Sequence, residues 1–448
     1  MMVREIGSSK LILMSIIRRL HIVLLATAAG ATWNNHYNVY LGSPYRGSNM
    51  GWLLLALYIA LFCIFSHLYG AYRIGNQRLN MVIYSNWLSM LMTHIVIFPV
   101  LFLIGRGALP SIPILALTAF DAGIILVWAH LANKAYFKIF PPKKVVCFYE
   151  GKYPVLLVKK LKERKEKFNL IGAYSFDKHS DVEAITEGAQ ALIFYHLSEE
   201  KSAKLMKFCI MKRLRYYLFP TIGDILLKTS ETMFLFDTPL FLARNEGLTL
   251  HQRFCKRLFD IIFAALMIVA LSPIMLITAV LVRTDGGPII YKQKRCTENG
   301  REFEIIKFRS MVINAENTGP TLASTNDPRI TKVGRYIRKF RIDELPQLFN
   351  VLNGDMSLVG PRPERPEFVR QYSKGIPEFV CRMSVKSGIT GYAQVMGRYD
   401  TSPEDKLKLD LMYIQSYSIL FDIKILLMTI KIVLFDSTRN GGNNLDRG

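Results

Sequence analysis

Four apolar stretches, at residues 20–33, 52–69, 81–104 and 112–131, crowd the first third of this chain. Most of them approach the ~20 residues that a helix needs to cross a hydrocarbon core. In lipid every backbone polar group has to be satisfied within the segment, so such stretches fold as helices. The expected arrangement over residues 1–140 is a transmembrane four-helix bundle. The first stretch is short, follows Arg18 and Arg19 and ends in Ala26-Thr27-Ala28-Ala29-Gly30, a pattern shared with secretory signals. Three more spans follow it, and we read it as a bundle helix.

Basic residues set the orientation. Arg4, Lys10, Arg18 and Arg19 precede the first span, Arg73 and Arg78 follow the second, and Lys134, Lys138, Lys143 and Lys144 follow the fourth; the other two loops carry only Arg46 and Arg106. Lysine and arginine gather on the cytoplasmic side, so the N-terminus and everything after residue 131 are expected there. A formal charge of +22 seeks anions, and with 51% hydrophobic residues it points to lipid headgroups and phosphorylated substrates before nucleic acid. No reading module interleaves aromatic with basic residues, which excludes a nucleic-acid partner. The six cysteines lie far apart without a C-x-x-C pair, so neither a disulfide framework nor a zinc site is indicated.

After Pro141-Pro142, short β-like runs alternate with charged helical segments to about residue 241. This predicts a small cytoplasmic α/β domain over 141–241, of degenerate Rossmann-like character. Its first strand runs into Tyr149-Glu150-Gly151-Lys152, which lacks the G-x-G-x-x-G turn of a dinucleotide site. The next apolar run, 258–282, is long enough to cross a membrane, yet Arg253, Lys256 and Arg257 precede it and Arg283, Lys292, Lys294 and Arg295 follow it. Both flanks therefore read as cytoplasmic. Proline removes a helix hydrogen bond, so Ser272-Pro273 predicts a helix over 252–283 that enters the bilayer, breaks there and returns. The competing reading is a kinked crossing. The last apolar helix, 419–435, is interrupted by Asp422, Lys424 and Lys431, and suits either the membrane interface or a core.

The chemistry concentrates in 284–448. Arg335, Arg338, Lys339 and Arg341 lead into the adjacent carboxylates Asp343 and Glu344, followed by Leu345-Pro346-Gln347. More cations recur in Lys307-Phe308-Arg309-Ser310 and in Pro361-Arg362-Pro363. Cations gathered around an acidic pair are what phosphoryl transfer requires: they neutralise charge on the phosphate oxygens, while a carboxylate holds Mg²⁺ or attacks phosphorus. Adjacent residues point in different directions, so the pair divides into one nucleophile and one metal ligand. The two prolines fix the backbone on both sides of Arg362, which presets its planar fork for a phosphate or a base.

These segments resemble the bacterial sugar transferase family, the large monotopic phosphoglycosyl transferases that act on polyprenyl phosphate. The resemblance runs from residue 252 to 435 through Gly287-Pro288, Lys307-Phe308-Arg309-Ser310-Met311, Asp327-Pro328-Arg329-Ile330-Thr331-Lys332-Val333-Gly334-Arg335, Asp343-Glu344-Leu345-Pro346-Gln347, Met356-Ser357-Leu358-Val359-Gly360-Pro361-Arg362-Pro363-Glu364 and Gly388-Ile389-Thr390-Gly391. It implies transfer of a sugar-1-phosphate from a UDP-sugar to undecaprenyl phosphate with release of UMP, at the cytoplasmic face of a bacterial inner membrane, as the first membrane step of exopolysaccharide, capsule or O-antigen synthesis. It implies Asp343 as the nucleophile that carries a covalent phosphosugar and Glu344 as the Mg²⁺ ligand. Arg338, with Arg335, Lys307 and Arg309, would contact phosphate, and Pro361-Arg362-Pro363 would recognise the nucleotide. A re-entrant helix broken at Ser272-Pro273 would hold an α/β catalytic domain at the interface. Homo-oligomerisation stays open. Thr297 stands where many members have glycine, and Ser387 and Met396 replace the usual proline and asparagine. The alternatives are a non-catalytic membrane scaffold or sensor, and a glycosyl transferase that releases UDP.

Overall fold

The structure, a computed structural model, describes residues 2–37, 50–105, 109–178, 181–228, 230–242, 247–313, 327–397 and 401–435. The loop cations Arg46 and Arg106 lie outside the described residues. The chain divides into two compact units, 1–220 and 221–448.

The first unit begins with α1 (Met2–Thr32), α2 (Met50–Tyr69), α3 (Leu79–Ile104) and α4 (Ile112–Ile139). Stretches within all four are long and apolar enough to cross a membrane, as is a fifth helix in the second unit. Leu25, Tyr58, Ile97, Leu101 and Ile125 pack among the four helices. A polar knot sits in the same interior: Tyr58 Oη and His94 Nε2 reach Asp121 Oδ2 at 3.3 and 3.4 Å. The α/β part follows as β1 (Lys143–Tyr149), α5 (Val155–Lys162), β2 (Phe168–Ser175), α6 (Val182–Ile185), β3 (Ala191–Tyr195), α7 (Glu199–Met211) and β4 (Arg215–Leu218). Its four strands are all parallel in the order β2-β1-β3-β4. The buried Val145-Val146-Cys147-Phe148 run of β1 is what a strand covered by helices on both faces requires. Arg78 meets Glu163 at 3.1 Å and Arg164 donates to the Gly75 carbonyl at 3.0 Å, so the turn between α2 and α3 rests on this sheet layer.

The residue after β1 is tied to the helix that follows β3. The Glu150 carboxylate, just after β1, accepts from the Ser198 backbone N–H at the start of α7 at 2.8 Å and from Lys201 at 2.7 Å. A helix N-terminus favours an anion, and here the chain supplies its own.

The second unit holds α8 (Ile222–Lys228), the hairpin β5 (Glu231–Leu235) and β6 (Thr238–Leu242), α9 (Leu250–Thr284), the antiparallel hairpin β7 (Ile290–Cys296) and β8 (Glu302–Phe308), α10 (Lys332–Lys339), α11 (Gln347–Asn353), β9 (Ser357–Val359), α12 (Pro366–Gly375), β10 (Gly388–Thr390), α13 (Tyr392–Met396), α14 (Pro403–Gln415) and α15 (Ile419–Phe435). The unit boundary falls 21 residues before the expected one at 241, because Ile222 and Ile225 of α8 join the core of the second unit. That core gathers Leu348, Val351, Leu358, Phe379, Leu411 and Ile425. Helix α15 belongs to it, with Asp422 and Ile425 buried.

Helix α9 corrects one expectation. It runs uninterrupted through Ser272-Pro273, with Pro273 inside the helix and the Ser272 hydroxyl donating to the Val269 carbonyl at 2.8 Å. A neighbouring hydroxyl and the surrounding turns re-satisfy the backbone that proline disturbs, so the sequence break leaves helical structure on both sides. Both arms are nonetheless held by the same unit. On the first, a capping box at Thr249 and Gln252 starts the helix, Lys256 pairs with Asp422 at 2.6 Å, and Asp260 accepts from the Leu358 N–H at 3.1 Å. On the second, Val282 packs with Phe308 and Ile337. Between them Leu266, Val269, Leu276, Ile277 and Val280 are exposed. A helix of 35 residues would extend ~52 Å if straight, well beyond a ~30 Å hydrocarbon core. Epitope tags placed at Arg253 and at Lys292 are expected to be accessible from the same side of the membrane. Accessibility from opposite sides would return α9 to an ordinary crossing.

Candidate active site

Asp343 and Glu344 sit on a short 3-10 turn, Ile342–Glu344, between α10 and α11. Arg341, which opens the turn, is in the left-handed region with φ 55°. An L-residue pays for that conformation, and it swings the chain sharply so that consecutive side chains diverge. Glu344 is buried and surrounded by cations: Lys307 Nζ at 3.0 Å and Arg362 Nη2 at 3.4 Å on Oε1, Arg341 Nη1 at 3.5 Å on Oε2. Burial alone would raise its pKa, but Lys307, Arg362 and Arg341 outweigh it and hold the carboxyl well below the usual carboxylate range. The Lys307 ammonium is in turn lowered by burial, with Glu344 pulling it back.

Asp343 is the opposite case. It is half-buried, and among the described residues its carboxylate makes no hydrogen bond or ion pair. Burial, and then the neighbouring Glu344 charge, push it up to about 6 against the pull of Lys307, Arg338 and Arg341. A pinned carboxylate beside an unpaired, desolvated one is the separation of roles that the adjacent pair suggested.

Three supports hold the cations in place. Lys307 lies on β8, whose Ile306 N–H donates to Asn350 Oδ1 at 3.0 Å while Asn350 Nδ2 donates to the Glu304 carbonyl at 2.8 Å. This ties β8 to α11, the helix that follows the acidic turn. Arg257 of α9 caps the other end of α11, donating to the Val351 and Leu352 carbonyls at 2.6 and 2.7 Å. The third support is the backbone of Pro361-Arg362-Pro363, where every carbonyl is taken: Pro361 by the Gly388 N–H at 2.9 Å, Arg362 by Arg382 at 3.1 Å and Pro363 by Arg295 at 3.2 Å. Burial, with Arg362 close by, lowers the Arg295 guanidinium to about 10. A small open hollow is bordered by Pro361, Arg362, Glu364 and Arg382. Gly360 admits no side chain, since a Cβ there would stand 2.4 Å from the Lys386 carbonyl.

Of the residues singled out in the sequence, Asp343, Glu344, Lys307 and Arg362 come together, Arg338 lies close enough to act on Asp343, and Pro361 and Pro363 frame the loop. Arg335 is exposed on α10. Arg309 departs from expectation: it is buried, donating to the Val282 carbonyl at 3.1 Å at the end of α9. It serves as a clamp on that helix. Arg341 joins the set, although only its place among the four cations marked it. Arg382, Arg295 and Asn350 carried no signal in the sequence. The departures at 297 and 387 prove to touch: the Thr297 hydroxyl accepts from the Ser387 N–H at 3.2 Å and donates to the Asp355 carbonyl at 2.9 Å. Proline at 387 would have no N–H to give, so the two replacements fit each other.

For magnesium, no group of three or more His, Cys, Asp or Glu side chains gathers among the described residues. Mg²⁺ is usually held by one or two carboxylates plus substrate phosphates and water. The acidic pair meets that need, because Asp343 is unpaired and Glu344 Oε2 has only Arg341 at 3.5 Å. Four nearby cations oppose a lone metal ion, so the donor set fits magnesium that arrives with a phosphate-bearing ligand.

The sequence model of the family described as Bacterial sugar transferase matches residues 251–436. The similarity to that family covers less than half of the chain. The chain is 46% identical over 185 residues to a UDP-N-acetylgalactosamine-undecaprenyl-phosphate N-acetylgalactosaminephosphotransferase of Aeromonas hydrophila, covering 40% of this chain and 44% of that protein. An undecaprenyl-phosphate galactose phosphotransferase of Salmonella typhimurium is 38% identical over 232 residues, 48% of each chain. A UDP-glucose:undecaprenyl-phosphate glucose-1-phosphate transferase of Escherichia coli is 41% identical over 202 residues, 44% of this chain and 42% of its own length. The chain thus matches less than half the length of each of these relatives, and the family match contains the whole acidic and cationic cluster.

Glu344→Ala is expected to destabilise the protein by about 1–3 kcal/mol, because it leaves the half-buried Lys307 without its partner and removes the anion shared by the more exposed Arg341 and Arg362. Thermal unfolding of the purified protein checks this, and an unchanged midpoint would refute the hub role of Glu344.

Proposed function

We propose that the protein transfers a sugar-1-phosphate from a UDP-sugar to undecaprenyl phosphate, releasing UMP, with Asp343 as the covalent nucleophile. The observation that carries the reading is the division of the acidic pair: Glu344 is pinned by three cations, whereas Asp343 faces the same cations unpaired. The relatives named above support the chemistry, since their names differ in the sugar and agree on undecaprenyl phosphate.

In the first step an Asp343 oxygen forms a bond to the β-phosphorus of the donor. The bond from that phosphorus to the bridging oxygen breaks, and UMP leaves with the oxygen and its electron pair. In the second step an oxygen of the lipid phosphate attacks the phosphorus of the aspartyl phosphosugar, and the Asp343 carboxylate departs as it began. Both nucleophiles are anions, so neither step needs a base. Arg338, Lys307 and Arg362 offset charge on the phosphate oxygens. Bound magnesium, with Glu344 as its ligand, would add charge neutralisation on the diphosphate. Arg362, on its doubly proline-framed loop, grips the nucleotide. The exposed apolar middle of α9 seats the domain at the cytoplasmic face of the inner membrane, where a lipid acceptor and a water-soluble donor meet, and the basic surface adds attraction for anionic headgroups. The product would prime an exopolysaccharide, capsule or O-antigen chain.

Asp343→Asn is expected to abolish UMP release from every UDP-sugar in detergent-solubilised protein, because an amide does not attack phosphorus. Full UMP release by that variant would remove Asp343 from the chemistry. A pH profile of the first step tests the same group. A carboxyl raised to about 6 holds its proton below that pH, so the ionised nucleophile, and the rate with it, is expected to fall about tenfold per pH unit further down. A flat profile between pH 4.5 and 7 would contradict the assignment.

A further inference from the structure

Arg362 acts through a guanidinium whose direction depends on the backbone beneath it, and that backbone is held by a buried ion pair from two other parts of the unit. Arg382, on the 3-10 segment Pro377–Ser384, is 4% exposed, and Asp410, on α14, is 1% exposed. Their side chains meet at 2.7 Å between Nη2 and Oδ2. The same Nη2 donates to the Arg362 carbonyl at 3.1 Å, and Nη1 reaches Glu364 Oε1 at 3.5 Å on the far side of Pro363. The Phe379 ring, itself buried, lies 4.9 Å from the guanidinium. Arg382 therefore cannot swing away, and its charge is met from one side by Asp410 and from the other by the loop.

A buried ion pair of this kind contributes little net stability against an apolar pair of the same volume, so its expense calls for another reason. We infer that Arg382 and Asp410 are positioning residues that aim the Arg362 fork at the nucleotide diphosphate by fixing the carbonyl of Arg362 and the carboxylate of Glu364. Neither touches the donor. Asp410 orients Arg382, Arg382 grips the loop, and the loop presents Arg362 to Glu344 Oε1 and to the phosphates. This rests on the proposed function, because the diphosphate is the ligand that Arg362 is aimed at.

The pair has a signature that plain destabilisation lacks. A planar fork binds phosphate bidentately and depends on its direction, whereas a lysine ammonium carries the charge on a flexible stem and does not. UDP binding by isothermal titration is therefore measured for the full chain in detergent with Mg²⁺, in four forms: unsubstituted, Asp410→Asn, Arg362→Lys, and both together. The expected result is about a tenfold loss of UDP affinity for Asp410→Asn alone, and less than a twofold further loss when Lys stands at 362. Arg382→Lys, which keeps the charge and loses the fork, is expected to show the same pattern and serves if Asp410→Asn folds poorly. Equal losses in both backgrounds, or no loss in either, would overturn the positioning role while leaving UDP binding by the unsubstituted protein intact. An unsubstituted protein that binds no UDP would instead overturn the proposed function and this inference with it.

Discussion

Glu344 is the group around which the second unit is arranged. Its carboxylate receives Lys307 from β8, Arg341 from the acidic turn and Arg362 from the proline-framed loop, three segments separated by up to 55 residues of chain between Lys307 and Arg362. Without a shared anion these cations would repel one another, and no local propensity would bring them together. Pairing of this sort specifies an arrangement more than it adds stability. The same cluster determines the state of Asp343. Burial, and then the Glu344 charge, raise it, the cations draw it down, and the balance leaves a carboxyl that is ionised near neutrality and still free of partners.

The rigidity behind the cluster traces to α9. Arg257 on its first arm caps α11, Asn350 of α11 grips β8 on either side of Ile305, and Lys307 follows two residues later. On the second arm Arg309, just beyond β8, holds the Val282 carbonyl. The helix that carries the exposed apolar surface is thus connected at both arms to the strand that carries an active-site cation. A shift of α9 in the membrane would be felt at Lys307 through hydrogen bonds to backbone, which move with the element that bears them.

Local features were legible in the sequence and distant pairings were not. Hydrophobic runs identify membrane helices because the bilayer dictates length and polarity within one segment. The acidic pair and Pro361-Arg362-Pro363 stood out because their chemistry lies within a few residues. Arg309 misled because Lys307 and Arg309, two apart, would share a face on a continuing strand. Strand β8 ends at Phe308, and the alternation ends with it. The boundary expected near 241 moved because α8 carries Ile222 and Ile225 into a core assembled mostly from residues beyond 300. Arg382, Arg295 and Asn350 are ordinary polar residues in sequence, and only folding shows which carbonyls and amides they meet. Thr297 and Ser387 read as separate departures until the fold placed one hydroxyl against the other's N–H, 90 residues away.

In the proposed reaction, charge balance would give the site its selectivity. Lys307, Arg338, Arg341 and Arg362 stand around only two carboxylates, in surroundings where burial lowers Lys307 and raises Asp343. Cations in excess at a desolvated place remain incompletely compensated by the protein itself. The diphosphate of the proposed donor would supply the missing anions, and each phosphate oxygen bound among these donors would relieve repulsion between them. A neutral sugar or a lone metal ion offers no such relief. The internal anion of the α/β domain makes the contrast plain. There Glu150 meets Lys201 and the first turn of α7, so the demand for negative charge is satisfied inside the fold. At Asp343 and Glu344 the demand would be met by the proposed donor.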